Sequence, residues 1–191
     1  MLFRSNAMVQ SRVAVRYATA LFAETSQANT LDATIADVRG LRTMLSESRD
    51  FALFVESPII KTSQKSAALK VVADKAQFAQ TTKNFLQLLV EKSRINELSS
   101  VLDSFETLYN ERKGLLPIEV ISAVELDSTQ KENLLKKIED YTGKKPLPSY
   151  SINTGLVGGF TVKIGDSMLD NSIKRQLEVL KKRLMEGELS N

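Results

Sequence analysis

The hydrophobic period of this 191-residue chain first changes near Gly114, and that change constrains the fold more than any other feature. Before Gly114, apolar residues recur at three- and four-residue intervals, most clearly over residues 98–109. After it, apolar side chains alternate with others at every second position, as over residues 116–120. The first pattern is typical of amphipathic helices and the second of strands. The sequence therefore predicts a mainly α protein with a domain boundary near Gly114.

The first part, residues 8–113, contains six predicted amphipathic helices joined by short loops. Their apolar stripes lie within residues 9–24, 31–45, 51–55, 62–72, 81–90 and 98–109. Ser57-Pro58 ends the third helix, because proline disfavours helical geometry in the residue before it. Lys113-Gly114 ends the sixth with a cation and a residue that readily turns left-handed. Short connections between such helices favour a six-helix N-terminal bundle.

The fifth helix is apolar around more of its circumference than a surface helix requires. A surface helix needs one apolar face, whereas this helix has nearly two, formed by Phe85, Leu86, Leu88, Leu89 and Val90. Two explanations stay open at this point. The helix is either central and buried, or its second face forms a groove for another amphipathic helix.

The second part, residues 114–191, is predicted to be a small α+β domain with a short sheet and a terminal helix. Alternation predicts strands at 116–120, 160–164 and 167–169, and Gly165-Asp166 is a two-residue hairpin turn. Pro117 indicates an edge strand or the start of a strand. A helix follows Asp127 or Ser128, and residues 170–172 cap the last helix. A domain of this size has a marginal core, so we expect it to depend on a partner.

The composition excludes most catalytic chemistry. The chain has neither Cys nor His, so a thiolate zinc site, a cysteine nucleophile and a Ser-His-Asp triad are impossible. The glycines at 155–159 fit neither phosphate-loop pattern, and Asp166 and Asp170 have structural explanations at a turn and a helix start. The longest uninterrupted apolar run, Phe51–Val55, is far short of the roughly 20 residues that span a bilayer. We therefore predict no catalytic residue, no cofactor and no metal site.

The net charge is only +3, and the last helix carries several of the cations, among them Lys174, Lys181 and Lys182. A basic helix can bind an acidic helix, anionic lipid or nucleic acid, or can simply be solvated. A basic helical nucleic-acid-binding module is therefore the alternative function. It would need a clustered basic surface with exposed aromatic side chains, whereas the aromatic residues here lie mostly on apolar helix stripes.

Six motifs, in order along the chain, resemble the delta subunit of the F-type ATP synthase, called the oligomycin-sensitivity-conferring protein in mitochondria. Residues 15–22 are similar to the family's R-Y-A-x-A-L-F first helix, and Ser57-Pro58 resembles its N-P motif. The most specific match begins at Gly158-Gly159-Phe160. The family's D-G-S reads Asp170-Asn171-Ser172 here, and Asn is the next-best residue for a left-handed turn. The resemblance extends over residues 13–184.

The resemblance implies a non-catalytic stator subunit that links the catalytic head to the peripheral stalk, so that rotation is coupled to ATP synthesis. It implies that residues 8–113 bind the N-terminal helix of an alpha subunit in a groove between helices one and five. Tyr17, Ala20 and Leu88 are the residues expected to line that groove. Residues 114–191 would bind b-type stalk subunits, with the basic side chains of the last helix facing acidic stalk residues (Lys174, Lys181 and Lys182).

The resemblance also implies one copy per complex, no nucleic acid, and contact with the membrane only through the complex. The family's first helix begins close to the first residue, which leaves little room for a cleavable presequence. We therefore expect a peripheral location on the cytoplasmic face of a bacterial inner membrane. The matrix side of the mitochondrial inner membrane is the alternative.

Overall fold

The computed structural model describes residues 11–173, 175–178 and 181–182. The helices are α1 (Arg12–Gln27), α2 (Leu31–Glu47), α3 (Arg49–Glu56), α4 (Thr62–Lys75), α5 (Gln80–Glu91), α6 (Leu98–Lys113) and α7 (Ser128–Thr142), with a 3-10 helix at Ile95–Glu97. The strands are β1 (Leu115–Ser122), β2 (Lys145–Ile152), β3 (Gly159–Ile164) and β4 (Ser167–Ser172). Residues 173, 175–178 and 181–182 are helical. The chain is thus mainly helical with a small sheet and a terminal helix, as predicted.

The chain divides into two compact units, one ending at Tyr109 and the other beginning at Asn110. The division falls in the last turns of α6, a few residues before Gly114, where the hydrophobic period changes. None of the helices in the described residues is long and apolar enough to cross a membrane.

The first unit is built around one continuous apolar core to which each of its α-helices contributes. Phe105 of α6 is fully buried, and its ring meets the ring of Phe22 of α1 edge-on at 6.0 Å between centroids. Ala14 and Ala18 of α1 are also fully buried, and such small side chains let neighbouring helices approach closely. The core therefore fixes the positions of α1 and α5, which form the walls of the site described below.

Three helices of this unit end in left-handed residues that are not glycine. Asn29, Gln77 and Ser93 have φ values of 54°, 56° and 54°. After α5, Arg94 N donates to Leu89 O at 2.7 Å and Ser93 N donates to Val90 O at 2.9 Å. This is the Schellman arrangement, and α1 and α4 end in the same way. The arrangement satisfies helix-end carbonyls and reverses the chain within two residues.

Lys65 of α4 is a buried cation with a structural role. Its side chain is 6% exposed, and its Nζ donates to the carbonyl oxygen of Val55, near the end of α3, at 2.7 Å. A cation at this position satisfies an orphan carbonyl and interacts favourably with the negative end of the helix. Burial lowers the pKa of Lys65, because removal from water disfavours the charged form. The motif around Ser57-Pro58 and Lys65 therefore connects α3 to α4.

The second unit is a four-stranded mixed sheet with strand order β2-β1-β3-β4. Strand β1 runs parallel to β2 and antiparallel to β3, which forms a hairpin with β4. Helix α7 connects β1 to β2 and is capped at Asp127 by a capping box and at Gly143 by a left-handed residue. The helix and one sheet face bury a small core of Ile118, Val120, Leu134, Ile138 and Val162.

The sheet departs from the sequence-based prediction at β2 and at Asn171, and it decides between the two explanations offered for Pro117. Strand β2 is not indicated by hydrophobic alternation. Pro117 lies in the first half of β1, which pairs with β2 alone before the pairing with β3 begins at Glu119, so it marks a strand start rather than an edge strand. The left-handed turn predicted at Asn171 is wrong, because Asn171 lies in β4 opposite Phe160. The residue that does lie in a left-handed conformation at this junction is Gly159, with φ of 81°.

Candidate protein-binding groove

A groove runs between α1 and α5 in the first unit, and we call its apolar lining residues, Val13, Tyr17, Ala20 and Leu88, the floor. Its volume is about 610 Å³, and its lining consists of Arg12, Val13, Arg16, Tyr17, Ala20, Leu88, Lys92 and Arg94. The three residues expected from the sequence to share a groove, Tyr17, Ala20 and Leu88, all lie in it. Their role in binding a partner stays a prediction.

Helix α1 presents one stripe to the core and another to the groove. The buried stripe is Ala14, Ala18, Leu21 and Thr25. Val13, Tyr17 and Ala20 form a second stripe at helical spacing, and they line the groove. Because these positions are three and four residues apart, they lie on one side of the helix. The first turns of α1 therefore contribute apolar side chains to the floor of the groove.

Helix α5 contributes to both the core and the groove lining, so burial explains most of its apolar surface, and a role of the remainder in binding a helix stays a prediction. The side chains of Phe85, Leu86, Leu89 and Val90 are each 7% exposed or less, whereas Leu88 is 39% exposed. Leu88 lines the groove, and Tyr17, which also lines it, meets the buried ring of Phe85 edge-on at 6.5 Å between centroids. The floor of the groove is thus apolar and supported by the core.

Four cations surround this apolar floor. Arg12 and Arg16 come from α1, and Lys92 and Arg94 follow Leu88 at the end of α5. All four side chains are exposed. Among the described residues, none of the four forms an ion pair, and no acidic residue lines the groove. The left-handed turn at Ser93 places Arg94 in the lining.

A carboxylate from another helix caps the start of α5. Asp37 of α2 accepts hydrogen bonds from Ala79 N at 2.9 Å and from Thr82 Oγ1 at 2.6 Å. Thr82 is 2% exposed, so its hydroxyl depends on this partner. Negative charge at a helix N-terminus is stabilising. Asp37 therefore holds α5 against α2 and indirectly fixes the position of Leu88.

Asp37→Ala is expected to destabilise the first unit by about 1–3 kcal/mol, because it removes the cap and leaves a buried hydroxyl without a partner. The measurement is urea unfolding followed by circular dichroism, which helices dominate. Asp50→Ala in the first turn of α3 is the control, with an expected loss of about 0.5 kcal/mol. Equal losses for the two variants would contradict the proposed capping role.

Two of the three residues expected to face the stalk are seen in the terminal helix of the second unit. Lys181 and Lys182 are exposed and helical, and Lys174 lies outside the described residues. A separate apolar cleft of about 380 Å³ opens between α7 and the β3–β4 hairpin, with Leu134, Ile138 and Tyr141 on one side and Phe160, Ile164 and Leu169 on the other. Tyr141 is 86% exposed, so the cleft extends an apolar surface to solvent.

The carboxylates considered from the sequence have structural roles. Asp166 lies in the turn between β3 and β4, and Asp170 accepts a hydrogen bond from Ser172 N at 2.9 Å. Ser172 Oγ in turn accepts from Arg175 N at 3.3 Å, at the start of the terminal helix. Within the described part of the chain, no group of His, Cys, Asp or Glu side chains is placed to hold a metal ion.

The sequence and the fold both match one known family. The family model described as ATP synthase delta (OSCP) subunit matches residues 13–184. The chain belongs to this family. The delta subunit is a non-catalytic component of the ATP synthase stator, and the comparisons give no support to the nucleic-acid-binding alternative.

The relatives match across nearly the whole chain. The ATP synthase subunit delta of Chlorobaculum parvum is 39% identical over 170 residues, which is 89% of this chain and 93% of that protein. The subunit of Desulforudis audaxviator is 35% identical over 182 residues, 95% of this chain and all of that protein. Among solved structures, a chain of the Toxoplasma gondii mitochondrial ATP synthase hexamer matches with a TM-score of 0.72 and 25% identity, covering 92% of this chain and 98% of that one.

Sequence reasoning about the delta subunit missed the four cations of the groove and the cap at Asp37. A signal for the cations exists in the sequence. Arg12, Arg16 and the groove residue Ala20 are spaced by four residues, and Lys92 follows Leu88 by four, so these cations share a helix face with a groove residue. Asp37 has no such signal, because its contacts to Ala79 and Thr82 join residues more than forty positions apart.

Proposed function

We propose that the helices of the first unit act as one six-helix bundle that binds the N-terminal helix of an ATP synthase alpha subunit. The observation that carries this proposal is the groove in which Val13, Tyr17, Ala20 and Leu88 form an apolar floor. An amphipathic helix laid in an apolar groove is a recurring mode of peptide recognition. Ala20 and Leu88 are exposed, so this part of the floor is accessible to a partner.

We propose further that the second unit binds b-type subunits of the peripheral stalk. The exposed Lys181 and Lys182 support this proposal through charge, and the resemblance adds Lys174. One copy of the subunit would then connect the catalytic head to the stalk, with each unit providing one docking surface. The complex would hold the subunit at the cytoplasmic face of a bacterial inner membrane.

Affinity purification from the native membrane tests the whole proposal. A tagged copy of the chain, expressed from its own locus, is expected to bring alpha, beta and b-type subunits with it. Leu88→Asp is expected to reduce the recovery of alpha and beta relative to b-type subunits. Recovery without any of the three would contradict the proposed connection between head and stalk.

The affinity for a purified b-type stalk subunit is expected to fall as salt rises, because the proposed contact joins exposed charges. Raising NaCl from about 0.1 M to about 1 M shortens the Debye length from about 10 Å to about 3 Å. Titration calorimetry at both concentrations measures the loss, and Lys181→Gln with Lys182→Gln should flatten the dependence. Lys144→Gln with Lys145→Gln, which removes two exposed cations elsewhere in the unit, is the control. An affinity independent of salt would contradict this contact.

A further inference from the structure

We infer that the groove between α1 and α5 selects a helix whose apolar stripe is flanked by carboxylates on both sides. This inference rests on the proposed function of the groove and names the chemistry of its occupant. The feature that carries it is a set of four cations that line the groove together with the apolar floor, two from α1 and two from the end of α5, which we call the cationic rim: Arg12, Arg16, Lys92 and Arg94.

The cationic rim has two members on each wall. Arg12 and Arg16 are four residues apart on α1 and therefore lie on one side of that helix. Lys92 and Arg94 lie on the other wall, where α5 ends. The first turn of α1 contains no acidic residue, so the positive end of this helix adds to the same field.

No described charge compensates this field within the groove. The four side chains are exposed and form no ion pair with a described residue, and the lining contains no carboxylate. Cations elsewhere in the unit differ in this respect: Arg39 and Arg42 contact Glu106, and Lys83 contacts Asp74. The cationic rim therefore produces a local positive electrostatic field beside an apolar surface.

A helix that lies on the floor presents its two flanks to the two walls. Carboxylates on those flanks would meet cations on each side, while lysine or arginine at the same positions would be repelled. An exposed ion pair changes affinity by roughly 1.4- to fivefold, so several pairs give selectivity rather than most of the affinity. Such pairs also raise the rate of association and make it sensitive to salt.

The apolar floor argues for a helix rather than a small anion. A free phosphate or a nucleotide would pair with the rim but leave Val13, Tyr17, Ala20 and Leu88 in water. An amphipathic helix covers these side chains and pairs with both walls at once. The combination of floor and rim therefore specifies an acidic amphipathic helix.

The test uses the full-length chain and three synthetic peptides. Two designed peptides share one apolar stripe at positions i, i+3, i+4 and i+7, and differ only in carrying glutamate or lysine on both flanks. The third is the N-terminal peptide of the alpha subunit from the same complex. Association and dissociation rates are measured by surface plasmon resonance at low and high NaCl.

Two protein variants with equal charge change separate the rim from net charge. Arg16→Glu with Lys92→Glu reverses one cation on each wall. Arg49→Glu with Lys61→Glu is the control, since both residues are exposed, lie outside the groove lining and stand at the starts of α3 and α4, where a carboxylate is tolerated. The circular dichroism spectrum of each variant confirms that it is folded.

The glutamate-flanked peptide is expected to bind the unaltered chain at least about tenfold more tightly than its lysine-flanked twin at low salt, with the difference mainly in the association rate. The variant Arg16→Glu with Lys92→Glu should lose about tenfold in affinity for the glutamate-flanked peptide. The control, Arg49→Glu with Lys61→Glu, should lose less than about twofold. If the alpha peptide binds, two results would each overturn the inference: equal affinity for the glutamate- and lysine-flanked peptides, or equal loss of affinity in the two protein variants. If the alpha peptide fails to bind at all, the proposed function fails with it.

Discussion

Gly159→Ala is expected to disrupt the sheet of the second unit while leaving the helices of the first unit folded. Gly159 begins β3 with φ of 81°, and a Cβ there would lie 2.5 Å from Asn171 O and 3.0 Å from Ser172 Cα. The left-handed conformation alone costs a residue with a Cβ about 1–2 kcal/mol. The contact adds to this cost, because the opposing atoms belong to the backbone of β4 and cannot rotate away.

The total loss for Gly159→Ala should exceed about 2 kcal/mol, a large part of what stabilises a unit of this size. Amide hydrogen exchange of the full-length chain measures it, since it reports the β3–β4 peptides separately from those of α1 to α6. Gly165→Ala is the matched control: Gly165 has φ of 56°, but no atom lies within 4 Å of its added Cβ. The expected loss of stability for Gly165→Ala is only about 1–2 kcal/mol. Similar protection of the β3–β4 amides from exchange in the two variants would show that the close approach of Gly159 to the backbone of β4 is unimportant.

The positions of the helices could be predicted from the sequence, because each carries a long periodic stripe that faces one core. The manner in which several of them end could not. Asn29, Gln77 and Ser93 take left-handed conformations that glycine usually supplies, and each costs intrinsic backbone energy. The compensating hydrogen bonds at the helix ends and the packing of the next helix are properties of the fold, and the sequence pattern does not contain them.

Strand β2 shows why hydrophobic alternation missed one of the four strands of the second unit. Its residues that share a face with the core of β1 include Pro146 and Pro148 opposite Leu116 and Ile118. Two prolines mask a strand in a sequence pattern, yet an edge strand tolerates them because one side of its backbone needs no ladder partner. The edge position of β2 follows from the strand order β2-β1-β3-β4, which only the three-dimensional structure establishes.

The apolar residues of the candidate site could be predicted from the sequence, but its charged residues could not. Leu88 stood out because a helix with one buried face needs no further leucine, and Tyr17 and Ala20 came from the family resemblance. The cationic rim involves residues from the start of α1 and the end of α5, which are about 80 positions apart and meet only because α1 packs beside α5. Charged residues on a helix surface are common, so no single one of them signals a site.

The floor of the groove gives the largest expected effect on binding. Leu88→Asp should weaken binding of the alpha-subunit N-terminal peptide by more than about 1 kcal/mol, or about fivefold in affinity, since it places a carboxylate in the buried centre of the contact. Tyr17→Ala should do the same by removing the aromatic side chain that packs on Phe85. Titration calorimetry measures both, and unchanged binding by both variants would contradict the placement of the helix.

The structure offers a matched control for this prediction. Leu53 of α3 is 53% exposed, compared with 39% for Leu88, and it does not line the groove. Leu53→Asp therefore makes the same chemical change on the same unit and should leave the affinity within about twofold, as expected for a residue outside the contact. Because both positions are exposed, neither substitution should unfold the unit, so a loss confined to Leu88→Asp reports the groove itself. An equal loss for Leu53→Asp would instead show that any apolar-to-acidic change on this surface disturbs binding, and the case for a specific helix site between α1 and α5 would fail.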